Sequence, residues 1–355
     1  MAFKRLDQED ISISADSVVA PAWTGQLTTL VTTSATVSNF NTSSQDNITT
    51  GNYYYNIYHT DPATTATTAV KQFSIAYGNS LGSGSTALNT NVSSSTPSSI
   101  NYGQYRTLIN GDENTNFTFG TVTPKSVFII TVNRSRYKEK LLPGSFNLRL
   151  TSGSTPVTLK LTDNSKTIST VSYVDSGRVY DIVSGSDGVP YTGLTTTGFT
   201  PASGSYGKFY PDIGTIVLNG DALSGSATFT GTSPAGGLGM SINQRNGVDT
   251  RLNLSAMYDI IKTGGNFKLQ SEETVSSNYI FVRVRNGEYN YSTNPSNITG
   301  SGELRHNIMI NSPQAYLTTV GLYNDNNDLL AVAKLSKPLL KDFTKEALVR
   351  IKLDY

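Results

Sequence analysis

Tyr279-Ile-Phe-Val-Arg-Val-Arg285, Tyr316-Leu-Thr-Thr-Val-Gly-Leu-Tyr323, Asp328-Leu-Leu-Ala-Val-Ala-Lys-Leu-Ser336 and Ala347-Leu-Val-Arg-Ile-Lys-Leu353 decide how this chain reads. Each run is short, β-branched or aromatic, and bounded by Gly, Pro, Asn or Asp, which predicts strands. Val282 and Val284 alternate with Arg283 and Arg285. Leu348, Arg350 and Lys352 alternate with Val349, Ile351 and Leu353. A period of two puts one set on a buried face and the other in solvent. Asn324-Asp-Asn-Asn327 predicts a four-residue hairpin loop, since Asn and Asp accept left-handed backbone. Glu303-Leu-Arg-His-Asn-Ile-Met-Ile-Asn311 is read as a further strand. Residues 279–355 thus form the most cleanly patterned part of the chain, a β module suited to docking.

Working outward, the 355 residues have room for about two domains. Only 15% are charged and the net charge is +1, so Ser, Thr, Asn and Gly must cover the surface, and the overall balance gives no support for a basic face reading nucleic acid. Twenty Tyr in a nearly neutral chain suit a protein that works inside an assembly. There is no Cys, which removes disulfides, thiolate nucleophiles and Cys-based metal sites. The opening has two basic residues with no apolar core after them, so it does not read as a signal peptide. No run has the length of a membrane-spanning helix.

Residues 1–22 are expected to be an extended arm, with Phe3, Leu6, Ile11 and Ile13 as apolar anchors able to pair with a neighbour's sheet edge. A β domain is expected over 23–150. Its strands are Tyr53-Tyr-Tyr-Asn-Ile-Tyr58, Lys71-Gln-Phe-Ser-Ile-Ala-Tyr77, a buried Ser126-Val-Phe-Ile-Ile-Thr-Val132 and Phe146-Asn-Leu-Arg-Leu150, with a long loop from Gly78 to Ser99. A loop-rich lobe follows over 151–248, where Val157-Thr-Leu-Lys-Leu161 and Thr170-Val-Ser-Tyr-Val174 read as strands exposed on both faces. Residues 249–278 supply the one convincing helix, about 251–262, with Leu254, Met257 and Ile261 at helical spacing and Gly264-Gly265 as its stop. The fold class is mainly β: short antiparallel strands in sandwich-like modules, one or two short helices and long Ser/Thr/Gly loops.

Chemistry is sparse. The two histidines, His59 and His306, lack any catalytic or zinc motif, although His59 lies near Asp61. Ser135-x-x-Lys138, Thr162-Asp163-Asn164 and Lys262-Thr263-Gly264 occur in the order of serine β-lactamases. That chemistry needs Ser135 on a buried helix and Lys262-Thr263-Gly264 on a facing strand, and the pattern predicts neither. Arg134, Arg136, Lys138 and Lys140 form one basic cluster, read as pairing with an acidic neighbouring subunit. Asp112-Glu113 and Glu272-Glu273 read as surface pairs. Tyr289 and Tyr291 can stack on sugar rings or pack against protein. No cofactor and no metal site is expected.

Certain segments carry a family likeness. Met1-Ala-Phe-Lys-Arg-Leu-Asp-Gln-Glu-Asp-Ile-Ser12, Phe73-Ser-Ile-Ala-Tyr-Gly-Asn79, Tyr105-Arg-Thr-Leu108, Arg136-Tyr-Lys-Glu-Lys-Leu-Leu-Pro-Gly-Ser145 and the segment from Val320 to Pro338 resemble virion structural proteins of T-even-like contractile-tailed phages of cyanobacteria. The likeness spans most of the chain and is weakest over 184–240. It implies a non-enzymatic building block of the tail or baseplate, located in the virion and assembled in the host cytoplasm. Its expected partners are other tail proteins and further copies of itself in a symmetric assembly, without nucleic acid or membrane insertion. The expected contact residues are Phe3, Leu6, Ile11, Ile13, Arg134, Arg136, Tyr137, Lys138, Tyr316, Tyr323 and Tyr355. The alternatives are a receptor-binding or fibre-like protein with a glycan-binding lobe, a capsid decoration protein, or a hydrolase built on Ser135 and Lys138.

Overall fold

The computed structural model describes residues 7–22, 41–44, 54–58, 70–80, 97–151, 158–191, 205–225, 229–230, 233–234, 238 and 250–355. In chain order the strands begin with β1 (Ile11–Pro21), β2 (Asn41–Ser44), β3 (Tyr54–Tyr58) and β4 (Lys71–Asn79). Helix α1 (Pro97–Asn110) precedes β5 (Ser126–Val132), β6 (Lys140–Leu141), β7 (Asn147–Thr151), β8 (Thr158–Asp163), β9 (Ser172–Val174), β10 (Gly177–Ser186) and β11 (Val189–Pro190). Then come β12 (Gly207–Tyr210), β13 (Thr215–Asn219), α2 (Gly220–Ser224), β14 (Phe229–Thr230), β15 (Ser233–Pro234), α3 (Thr250–Gly264), β16 (Asn266–Lys268) and β17 (Gln270–Val284). The chain ends with α4 (Asn307–Asn311), β18 (Ala315–Tyr323), β19 (Leu329–Lys341) and β20 (Ala347–Asp354). It is mainly β, as the sequence predicts. It divides into two compact units, Val18–Glu273 and Met1–Ser17 with Thr274–Tyr355.

The larger unit is built on one sheet of order β16-β7-β8-β10-β12-β13-β5-β4-β3-β2, with β9 and β11 also on β10. The expected boundary at residue 150 falls inside β7, whose hairpin with β8 joins the two halves of this sheet. Its central strands are buried on both faces. Phe128, Ile130, Ile216 and Leu218 point into the core shared with Leu254, Met257 and Ile261 of α3. Val127, Ile129 and Val217 point the other way, toward Tyr102 and Ile109 of α1. A strand covered on both sides has no polar face to show, which is why β5 reads as an unbroken apolar run. Aromatic rings fill the α3 side, where Phe267 meets Phe73 and Phe146 edge-on at 5.1 and 6.1 Å.

Three sequence expectations change here. The loop expected from Gly78 to Ser99 loses both its ends, Gly78 and Asn79 to β4 and Pro97 to Ser99 to α1, while 81–96 lie outside the described residues. Pro97 opens α1 at the first-turn position, where a missing N–H costs nothing, and Tyr102, Arg106 and Ile109 share its buried stripe. Gly78 lets that helix come close, since a Cβ there would stand 3.1 Å from the Tyr102 Cα. Second, residues 157–161 are not exposed on both faces, because Leu159 and Leu161 are buried in the main core. Third, residues 303–311 are not a strand. Leu304 makes one bridge to Ile298, and Asn307–Asn311 turns into the short α4.

Tyr77, Tyr102, Tyr206 and Tyr210 are fully or almost fully buried. Desolvation raises all four phenol pKa values, Tyr206 to about 12. The folded state therefore holds protons that the unfolded chain releases above pH 10, so stability present below pH 10 is lost as pH rises toward 12. A titration followed by phenolate absorbance and circular dichroism should show these tyrosines ionising together with cooperative loss of structure. Smooth ionisation near pH 10 with the fold intact would contradict it.

The smaller unit places sheet β1-β17-β20 against the hairpin β18–β19. Residues 279–284 of β17 face Ala347–Lys352 in register, from Tyr279 opposite Lys352 to Val284 opposite Ala347. Along β20, Ala347, Val349 and Ile351 are buried and Leu348, Arg350 and Lys352 exposed, as the alternation predicts. Ile280, Val349 and Ile351 form the unit's apolar core cluster, flanked by Val320, Leu322, Ala333 and Leu335 of the hairpin, with Val284 and Ala347 also buried.

Candidate functional site

The residues singled out for catalysis do not converge. Lys138 is ion-paired with Glu273 at 2.8 Å, and Ser135 sits in an exposed single turn between β5 and β6. The Thr162 hydroxyl donates to the Phe146 carbonyl at 2.8 Å. Lys262 lies over the Tyr258 ring at the last turn of α3. Asp163 is fully buried and accepts hydrogen bonds from the Gly144 and Ser165 backbone N–H groups. Burial raises its pKa above the usual carboxylate value, and those donors, Ser165 first, partly offset the rise. No local pattern marks this acid as buried, because its partners are backbone groups brought in by two turns.

His59 and Asp61 lie outside the described residues, and His306 accepts the Met309 N–H through its carbonyl just before α4. Asp112 closes its own turn on Asn114 and Thr115, and the Thr115 hydroxyl lowers its pKa first. Among the described residues, no group of three or more His, Asp or Glu is placed to hold a metal ion. None of their helices is long and apolar enough to cross a membrane.

The surface is more telling. Among the described residues, twenty large apolar side chains are exposed, and fifteen belong to the smaller unit. That unit supplies 99 of the 355 residues, 17 at one end and 82 at the other, so the density is uneven. Pairing fixes the faces of its hairpin. Val320 opposes Ala333 and Leu322 opposes Ala331 on the inner face, while Thr319 opposes Lys334 and Gly321 opposes Val332 outside. The outer side exposes Tyr316 at 65%, Leu330 at 68%, Val332 at 58% and Tyr323 at 41%. Tyr323 folds over Gly321, where an added Cβ would meet its ring at 2.9 Å. The ring thus covers bare backbone and stays on view.

One internal device holds the end of this hairpin. Lys341 is fully buried, and its ammonium donates to the Asn286 carbonyl at 2.9 Å, the Asn290 side-chain oxygen at 2.5 Å and the Asp342 carbonyl at 2.9 Å. Three donors meet three acceptors, so the charge is hydrogen-bonded although no carboxylate touches it. A cavity of about 190 Å³ lies between β19 and β20, lined by Val320, Leu335, Val349 and Ile351 with Lys334 and Lys352. It falls below the range of ordinary small-molecule sites.

The expected contact residues separate into three groups. Tyr316, Tyr323 and Tyr355 are exposed in the smaller unit, as are Ile11 at 41% and Ile13 at 70% on β1. Phe3 and Leu6 lie outside the described residues. In the basic cluster Tyr137 is buried, and the charged side chains also make contacts within their own unit. Tyr137 is 7% exposed and part of the main core, where it covers Gly214. Arg134 stacks on that ring at 4.6 Å and donates to the Tyr137 carbonyl. Arg136 donates to the Ser135 hydroxyl at 3.3 Å, and Lys138 is held by Glu273. A tyrosine flanked by cations at i−3 and i+1 looks like a surface patch in sequence, but three-dimensionally the ring turns inward.

Searches against models of known protein families, against curated proteins and against solved structures found no match to this chain.

Proposed function

We propose that this chain is a structural subunit of a contractile phage tail, at or near the baseplate, that works through protein–protein contacts and transforms no substrate. One observation carries the reading: among the described residues, the smaller unit buries five apolar side chains, Ile280, Val284, Ala347, Val349 and Ile351, yet exposes fifteen large ones. Monomeric soluble domains rarely leave that much apolar side chain in contact with water, and interfaces are where it is covered. The unit's charge supports the same reading, since its eleven basic and eleven acidic residues cancel. The resemblance of the quoted segments to cyanophage virion proteins supplies the tail as the setting.

The test is incorporation into particles. Leu330→Glu with Val332→Glu places two charges on the outer face of the hairpin, where neither side chain supports the core. Copies per purified particle should fall by about tenfold or more, since interface centres tolerate charge poorly. Tyr173→Glu, which alters a side chain 71% exposed in the larger unit, should leave incorporation unchanged. Equal incorporation of the hairpin variant would end this reading.

A glycan-binding role is favoured by one feature. Tyr289 and Tyr291 are exposed on a loop stiffened by Asn290, Asn294 and Asn297 side-chain hydrogen bonds. Saturable binding of the purified chain to host lipopolysaccharide, lost in Tyr289→Ala with Tyr291→Ala, would establish it instead.

A further inference from the structure

Among the described residues, strand β1 ends its sheet, paired with β17. It runs for eleven residues, Ile-Ser-Ile-Ser-Ala-Asp-Ser-Val-Val-Ala-Pro, with one charge, Asp16, and proline only at its last position. Edge strands of monomers are blunted by lysine, proline, bulges or brevity, and β1 has little of this protection. Every residue from Ile11 to Ala20 except Ser14 is exposed. Asp16 reaches Lys352 at 3.8 Å, and Lys352 lies opposite Tyr279, so Asp16 shares their face. Alternation then puts Ile11, Ile13 and Ala15 on the other face, the one through which Ile280, Val349 and Ile351 form the core. The apolar face of the sheet therefore continues onto β1 and stops at its open edge.

We propose that β1 pairs antiparallel with β1 of a second copy of this chain, across a two-fold axis at Ala15. The proposal deepens the assembly reading and rests on it. The strand's own pattern selects both the partner and the register. An axis at Asp16 would give the longest overlap but set two aspartates face to face, which opposes pairing. Axes at Ala15 and at Ser17 give the next longest overlap, and the one at Ser17 would bring Pro21, which has no N–H to donate, opposite Ile13. The axis at Ala15 places Ile11 opposite Val19, Ile13 opposite Ser17, Ser14 opposite Asp16 and Ala15 opposite itself. No like charges meet, and Ile11, Ile13, Ala15 and Val19 of the two copies share one face, with Ser17 the polar residue on it. Such an isologous contact closes on itself, which suits a repeated component of a symmetric particle.

The experiment uses the full purified chain and sedimentation across a concentration series. The chain should dimerise at or below about 100 µM, a modest affinity for two strands and their flanking faces. Ala15→Lys and Ala15→Glu each set like charges together at the axis and should each weaken the dimer by about tenfold or more. An equimolar mixture of the two should restore a dimer containing one of each, which only pairing at Ala15 produces and misfolding would not. A monomeric native chain overturns the proposal, and so does a dimer that Ala15→Lys leaves unchanged. A monomeric chain that still enters tails would sink this contact and leave the tail reading standing. A dimer that never enters tails would do the reverse.

Discussion

Lys341→Met is expected to unfold much of the smaller unit. The substitution keeps the length of the side chain and removes the ammonium that joins Asn286, Asn290 and Asp342. Two backbone carbonyls and one amide oxygen are then left without their donor in a site from which Lys341 itself is fully shielded. Each such group costs about 1–3 kcal/mol, so a loss of about 3–5 kcal/mol is expected. A core of Ile280, Val349 and Ile351 has little stability in reserve. Hydrogen exchange should show the amides of β18, β19 and β20 losing protection while those of β5 and β13 keep theirs. Unchanged protection in the hairpin would mean that the lysine is not what holds its end.

Gly264→Ala is expected to disrupt the larger unit, against the usual gain of about 1 kcal/mol for alanine over glycine in a helix. A Cβ at Gly264 would lie 1.9 Å from the Arg149 carbonyl oxygen and 2.7 Å from its carbon. Both obstacles are backbone of β7, so no side chain can swing aside. Helix α3 would have to lift from the sheet, and Leu254, Met257 and Ile261 would leave the core with it. We expect a loss of at least about 3 kcal/mol, seen as a fall in melting temperature of roughly 6 °C or more, or as loss of soluble expression. Gly287→Ala, with nothing within 4 Å of its Cβ, serves as the neutral control. A stabilised Gly264→Ala chain would contradict the close packing of α3 on β7.

Lys262-Thr263-Gly264 shows how differently one motif reads in one dimension and in three. As a string it matches a catalytic signature; in the fold, its glycine is the contact that lets a helix touch a strand. Gly265 rather than Gly264 takes the left-handed turn that ends α3, with φ of +68° and its N–H returned to the Ile261 carbonyl.

The candidate interface was legible where it depended on local pattern. Tyr316 and Tyr323 are both exposed although seven residues apart, because the alternation of β18 breaks at Thr318 and Thr319, where its pairing with β19 shifts register, and Tyr355 follows the end of β20. Tyr137 was misread, since which way a ring turns depends on Gly214, a residue 77 positions away. No local pattern marks Lys341 either, because two of its acceptors lie 51 and 55 residues upstream.

Sequence by itself determined that β17 and β20 are strands and which of their faces is buried. Side chains alternate along an extended backbone whatever surrounds it, so the pattern over 347–353 is set by neighbours two residues apart. It also determined α3, whose apolar stripe has its own period. Only the tertiary structure decided that β5 and β13 are covered from both sides, that a polar stretch becomes α1, and that the patterned C-terminal segment has the smaller core. Burial depends on how many layers stack, and that is fixed by contacts between residues far apart in the chain, which no local period records.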